Sequence, residues 1–161
     1  MKIIIFSDSH YKSIFKLDLT EYDYVIHCGD ILLNDIDYIN LEDNIYSVSG
    51  NCDYKKEMPI EREFIINNKK YFICHGHTYN VKETYSKLIE KGQNYDFVMF
   101  GHTHIPYVNR VNNTFYINPG SFLEGSYMVL EDNILNMYQK PNLFSKKDKY
   151  KLVKTYDLNK L

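Results

Sequence analysis

Apolar positions in this chain come in short runs, and most of them are too brief for helices. Residues 2–7 form a β-branched apolar run, the pattern of a buried strand. Residues 24–28 form a second, and residues 45–49 a third with looser alternation. Each of the three ends in a cluster of polar residues. Residues 11–22 leave room for one short helix between the first two runs. Strands alternating with helical room predict βαβ units and a parallel sheet at the start.

The second half changes character. Residues 63–67 and 70–75 read as two strands joined by a hairpin at Asn67-Asn68. The spacing predicts a helix over 80–91. Asn80 stands as its cap with Glu83 three residues on, and Val81, Tyr85, Leu88 and Ile89 share one apolar face. Glu83 and Lys87 can pair one turn apart, and Gly92 is placed to close the end. Strand-like runs follow at 96–101, 107–111, 114–118, 126–131 and 134–140, with two-residue turns at Asn112-Asn113 and Asp132-Asn133. At least nine strands and few helices fit two packed sheets better than one.

Length and composition narrow this only a little. A chain of 161 residues fits one domain that buries its own core. Pro141 reads as the end of a folded body over 1–140. The Lys-rich extension over 141–161 is left as a strand, a surface helix or a mobile tail, with a solvated surface as its commonest role. That extension holds six Lys against Asp148 and Asp157, whereas the body carries 13 basic and 19 acidic side chains. With a formal net charge of -2 there is no global attraction to nucleic acid or anionic lipid, so a nuclease is disfavoured. Three cysteines with no C-x-x-C spacing argue against a disulfide framework or a zinc knuckle. The first apolar run is too short for a signal peptide and ends in Asp8, and no segment approaches a membrane span. A cytoplasmic protein is the expectation.

The candidate chemistry lies at the strand ends. All six histidines, His10, His27, His75, His77, His102 and His104, fall at or just past the end of a run read as a strand. Ligand sites in parallel sheets gather at the carboxyl ends of strands. Asp8-Ser9-His10, Gly29-Asp30, Gly50-Asn51-Cys52-Asp53, His75-Gly76-His77 and Gly101-His102-Thr103-His104 each follow a strand and pair possible ligands with a small residue. Carboxylate, amide and imidazole donors together suit Mn, Fe, Zn or Ni, while pure oxygen sites suit Mg or Ca. A lone carboxylate such as Asp30 can bridge two ions, and two ions clamp the attacking and leaving oxygens of an in-line displacement.

Those five motifs, in that order, resemble the calcineurin-like metallophosphoesterase superfamily. Gly50-Asn51-Cys52-Asp53 and Asn118-Pro119-Gly120-Ser121 further resemble its small prokaryotic phosphodiesterases of the YfcE type. The resemblance covers residues 1–140. It implies a four-layer α/β/β/α sandwich of two mixed sheets, with two divalent ions, most often Mn and otherwise Ni, Fe or Zn. It assigns Asp8, His10 and His104 to the first ion, Asn51, His75 and His102 to the second, and Asp30 to the bridge. The implied reaction is hydrolysis of a small phosphodiester, with monoesters a further option, by a hydroxide bridging the metals. Cys52 stands where most members of the superfamily have a His that protonates the leaving oxygen. Weaker catalysis on alkyl esters than on aryl esters is therefore expected.

Other residues carry plainer readings. His27 lies within an apolar strand and reads as a core histidine beside the site. His77 reads as a substrate contact or as a partner orienting His75. Cys28 and Cys74 read as small core residues. Asp53 orients the site or caps a turn, and the Asn118–Ser121 turn is structural. The rival function is a non-catalytic binding module, since a eukaryotic retromer subunit shares this fold with an altered metal site. All seven ligand positions are kept here, which favours an enzyme. Physiological substrate and oligomeric state are not legible in these residues.

Overall fold

The computed structural model describes residues 1–53, 58–143, 145 and 147–161. Eleven strands are found among them, in two mixed sheets. The first sheet has six strands: β1 (Lys2–Phe6), β2 (Tyr24–His27), β3 (Ile45–Ser47), β9 (Ser126–Glu131), β10 (Ile134–Gln139) and β11 (Lys151–Asp157). Their order across the sheet is β11-β10-β9-β1-β2-β3. The second has five: β4 (Glu61–Ile66), β5 (Lys69–Cys74), β6 (Phe97–Met99), β7 (Tyr107–Val111) and β8 (Thr114–Asn118), in the order β4-β5-β6-β8-β7. β1, β2 and β3 run parallel, as do β5, β6 and β8.

Successive side chains on a strand point to opposite faces, so a strand buried on both faces must be apolar throughout. β1 shows this directly. Ile3 and Ile5 enter the core between the sheets, with Ile73, Met99 and Ile117 from the second sheet. Ile4 and Phe6 face outward and meet Ile36 and Ile39 of α1 (Leu33–Ile39). On the far side, Phe72, Val98 and Tyr116 pack against Leu88 of α2 (Ser86–Gly92). The result is the four-layer α/β/β/α sandwich that the family resemblance implies. The tyrosine-rich composition has a structural use in it. Tyr24, Tyr46, Phe64, Tyr71, Phe97 and Phe115 form a ladder of rings 3.9–6.1 Å apart between neighbours, running from one sheet to the other. Arg62 lies 4.9 Å from Tyr46, and Arg110 lies 5.3 Å from Phe115 at the ladder's far end.

All three expected hairpin turns are present. Asn67 and Asn68 both have positive φ, the requirement of a tight turn matching strand twist, and Asn112 and Asp132 open the other two. The helices depart from expectation. Residues 11–22 hold only a 3-10 turn at Ile14–Lys16, where the buried Asp35 of α1 accepts from the Ile14 N–H at 2.9 Å and the Ser13 hydroxyl at 2.8 Å. α1 itself lies in a stretch with no side-chain cap, so no local signal marked it. α2 starts at Ser86, not at Asn80, because Asn80 is left-handed (φ 55°, ψ 39°) and ends a 3-10 turn at His77–Tyr79. Gly92 is the last helical residue and not a cap beyond it. A Cβ there would stand 2.4 Å from the Tyr116 hydroxyl.

Pro141 does not end the folded body. Of the forms left open for the extension, Lys151–Asp157 adopts the strand, pairing antiparallel along β10, and Leu158 enters the core between the sheets. Lys146 lies outside the described residues. No helix among the described residues is long and apolar enough to cross a membrane.

Candidate metal centre

The carboxyl ends of β1, β2 and β3 meet those of β5 and β6 at one end of the sandwich, bringing all seven ligand candidates together. Two hydrogen bonds fix the sheets to each other there. The His102 N–H donates to Asp8 Oδ2 at 3.1 Å, and His75 Nδ1 donates to the Cys28 carbonyl at 2.7 Å. A carbonyl only accepts, so Nδ1 carries the proton and His75 Nε2 faces the cluster. Asp8, His10, Asp30, His102 and His104 all have φ between 46° and 69°. Side chains there crowd the backbone, and such strain of about 1–3 kcal/mol per residue concentrates at functional sites.

Asp8 lies at the centre, fully buried. Its Oδ2 is occupied, accepting also from the Ser7 hydroxyl at 2.6 Å. Its Oδ1 is buried and lacks a hydrogen-bond partner among the described residues. Around that atom stand three imidazole nitrogens: His104 Nε2 at 3.1 Å, His75 Nε2 at 3.8 Å and His10 Nε2 at 4.0 Å. Asp30 Oδ2 faces the same space, 3.3 Å from His75 Nε2 and 3.8 Å from His10 Nε2. Asn51 Oδ1 lies 3.1 Å from His75 Nε2, and His102 Nδ1 lies 3.2 Å from it.

An orphaned carboxylate oxygen ringed by nitrogens is costly unless a cation is expected between them. Donors about 2.0–2.2 Å from a divalent ion stand roughly 3–3.5 Å apart, close to the spacing seen here. The residues therefore fit a metal. Asp8, His10 and His104 form one compact donor group, Asp8, Asp30 and His75 a second, and His10, Asp30 and Cys52 a third. Asp8, His10 and Asp30 each belong to two of these groups.

Burial and neighbouring charges shift three of these groups. Burial alone would raise the Asp30 carboxyl, but the His75 hydrogen bond and charge, with the Cys52 N–H at 2.8 Å, hold it well below the usual carboxylate range. Burial opposes charge on His75, yet Asp30 and Asp8 raise it above the ordinary imidazole value. Burial and then the neighbouring His75 push His102 down to about 4.

The remaining candidates take supporting places. His77 sits beside the donors, its ring 5.5 Å from that of His75 and 6.1 Å from that of His102, with its buried Nδ1 unpartnered among the described residues. Cys52 is exposed, and burial of its thiol and the Asp30 charge raise its pKa, so it is protonated at neutral pH. His27 is fully buried and bonds Ser9 Oγ at 2.9 Å through Nε2, as its core reading expects. Asp53 accepts from the N–H groups of Gly50, Asp30 and Ile31 at 2.7–2.9 Å, stitching the loop after β3 to that after β2. Asn118 donates to the Gly101 carbonyl and to Thr103 Oγ1, both at 3.0 Å, holding the loop after β6.

Sequence reasoning missed Glu124. Its Oε1 lies 3.2 Å from His104 Nδ1 while His104 Nε2 faces Asp8, so Glu124 fixes the ring's orientation and tautomer. The one available signal was a carboxylate three residues past the Asn118–Ser121 turn. Glu124→Gln should weaken metal affinity roughly tenfold, the low end for such partners because Glu124 is exposed. Isothermal titration checks this, and an unchanged constant counts against the orienting role.

A family model of the calcineurin-like phosphoesterase superfamily domain matches residues 1–131. The chain is 34% identical over 142 residues to the phosphodiesterase MJ0936 of Methanocaldococcus jannaschii, covering 74% of this chain and 83% of the relative. It is 27% identical over 107 residues to the phosphodiesterase YfcE of Escherichia coli K12, covering 58% and 55%. The solved YfcE structure superposes with a TM-score of 0.66 at 18% identity over 99% of this chain and all of the other. Zinc-complexed Vps29 of Entamoeba histolytica superposes with a TM-score of 0.75 at 21% identity, covering 99% and 100%. At those identities the structural likenesses speak to the fold alone.

Proposed function

Since this chain belongs to the calcineurin-like phosphoesterase superfamily, we propose that it is a metal-dependent hydrolase of small phosphodiesters, with monoesters as secondary substrates. The carrying observation is the buried, unpartnered Asp8 Oδ1 with three imidazole nitrogens within 4.0 Å. In this reading Asp8, His10 and His104 hold one ion, Asn51, His75 and His102 hold a second, and Asp30 joins the two. Mixed nitrogen and oxygen donors suit manganese, nickel, iron or zinc, and the family resemblance puts manganese first. Two such ions supply Lewis acidity at the phosphoryl oxygens and a nucleophile at neutral pH.

The protein's own part is to hold and to orient. The Cys28 carbonyl keeps His75 in the tautomer that aims Nε2 inward, and Glu124 does the same for His104. Both imidazoles must be neutral to ligate, so binding releases protons wherever His75 starts charged. Cys52, protonated and exposed beside Asp30, stands where a leaving oxygen needs a proton, but a thiol is a poor donor at neutral pH. Aryl diesters, whose leaving group needs no proton, should therefore outpace alkyl diesters. His77, its ring 5.5 Å from that of His75, serves as a substrate contact. The free cysteines Cys28, Cys52 and Cys74 are compatible with a reducing cytoplasm.

The test is a rate measurement on chelator-treated protein after adding back Mn, Ni, Mg or Zn. An aryl phosphodiester should turn over with Mn and faster than the aryl monoester. No metal-dependent turnover on either ester overturns the proposal and favours the binding module.

A further inference from the structure

Lys12 lies two residues past His10, in the same loop. Its Nζ donates to Tyr150 Oη at 2.6 Å and to the Phe122 carbonyl at 3.1 Å. It also lies 4.4 Å from the Phe122 ring centre and 5.2 Å from that of Tyr150. The two rings are parallel within 7° at 6.0 Å, and Tyr127 meets Tyr150 edge-on at 4.9 Å. The ammonium thus closes a box built from three separate segments: the loop after β1, the turn after β8 and the chain just before β11.

One of those segments, the turn after β8, already holds Asp8. The Phe122 N–H donates to the Ser7 carbonyl at 2.8 Å, and the Leu123 N–H and the Ser121 hydroxyl donate to the Asp8 carbonyl at 3.1 Å each. His10 needs such restraint, because at φ 46° it relaxes to ordinary backbone unless its surroundings prevent it. On the amino side it is held by its own N–H, bonded to the Asp30 carbonyl at 2.8 Å. On the carboxyl side the first tertiary anchor of a side chain is Lys12. Its partner Tyr150 lies beyond residue 131, where the family match ends.

We propose that Tyr150 and Lys12 are positioning residues: their clasp holds His10 in its ligating conformation and makes the C-terminal segment part of the metal-binding apparatus. The inference rests on the metal reading above. It assigns the clasp to the ion of Asp8, His10 and His104 and leaves the ion of Asn51, His75 and His102 untouched.

Tyr150→Phe removes the hydroxyl that Lys12 uses and keeps the ring in its stack. Lys12→Met removes the ammonium and keeps most of the chain's bulk. Titration of chelator-treated protein with Mn, followed by calorimetry, reads the constants of both ions, and thermal unfolding of the metal-free forms reads stability. One of the two Mn constants should weaken roughly tenfold in both variants, the scale for residues that orient ligands. The double variant should be no worse than Lys12→Met alone, because the two residues act as one unit. Electrostatics alone predict the opposite sign for Lys12→Met, since losing a cation near the site tightens Mn binding. Unchanged constants in Tyr150→Phe, tighter binding in Lys12→Met, or equal weakening of both ions together with a fall in melting temperature would each overturn the clasp. A wild-type protein that binds no Mn sinks the metal reading itself, and the clasp's role with it.

Discussion

Asp30→Asn should lower metal-dependent ester hydrolysis by roughly a thousandfold or more, because it removes a charge that lets two cations share one site, an effect worth several kcal/mol. The substitution leaves the local structure alone. Asparagine keeps the size of the side chain and the Oδ1 acceptor for the Cys52 N–H. What changes is the atom facing the histidines. Asp30 Oδ2 lies 3.3 Å from His75 Nε2 and 3.8 Å from His10 Nε2. An amide NH2 in that place points hydrogens into the space a cation needs. Flipping the amide to turn its NH2 away would set that group against the Cys52 N–H, donor against donor. Steady-state rates on an aryl diester, with Mn titrated against the variant, check the expectation. A folded variant within tenfold of wild type would falsify the bridging role.

The second large effect is on acid stability and arises at His27. Burial, followed by repulsion from His75, pushes its pKa down to about 3, against about 6.5 for an exposed imidazole. The physical reason is visible in its bonds: Nε2 donates to Ser9 Oγ, and Nδ1 accepts from the Gly29 N–H at 3.2 Å. A second proton on the ring places a hydrogen against that N–H, beside Asp30. The folded protein therefore holds His27 neutral while the unfolded chain takes up a proton below pH ~6.5. The unfolded state binds more protons, so stability falls as the pH drops from about 6.5 toward 3, at a slope approaching about 1.4 kcal/mol per pH unit. The total is a few kcal/mol, a large share of the stability of a typical domain.

His102, lowered to about 4, acts in the same direction. His75 acts in the other. Its raised pKa contributes stability that is complete below its unfolded value and is lost as pH rises through the folded one. His27→Gln separates these contributions. Glutamine keeps a donor toward Ser9 Oγ and has no charge to gain. The metal-free variant should be less stable than wild type at pH 7 but should lose less stability between pH 6.5 and 4. Urea unfolding across that range measures both slopes, and parallel curves would show that the acid sensitivity lies elsewhere.

The sequence by itself determined what depends on neighbours along the chain. Short apolar runs marked nearly every strand, because a strand covered on both faces, as β1 is, must be apolar along its length. The three Asn- and Asp-led turns were legible because only a few residues accept their backbone angles. The order and spacing of the motifs around Asp8, Asp30, Asn51, His75 and His102 were legible for the same reason, since each is a short local device at a strand end. Helices were less so. α1 has no cap to announce it, and Asn80 looked like a cap but turned left-handed to close a preceding turn.

Only the tertiary structure decided what depends on approach across the fold. It paired Lys151–Asp157 with β10, where a Lys-rich segment had left strand, helix and tail open. It brought Glu124 to His104 and Tyr150 to Lys12, contacts spanning 20 and 138 residues. It left Asp8 Oδ1 without a hydrogen-bond partner among the described residues, at the meeting of two sheets. A residue's type states which bonds it is able to make. Which of them it makes, and which it leaves open for an ion, is set by the distances that folding imposes.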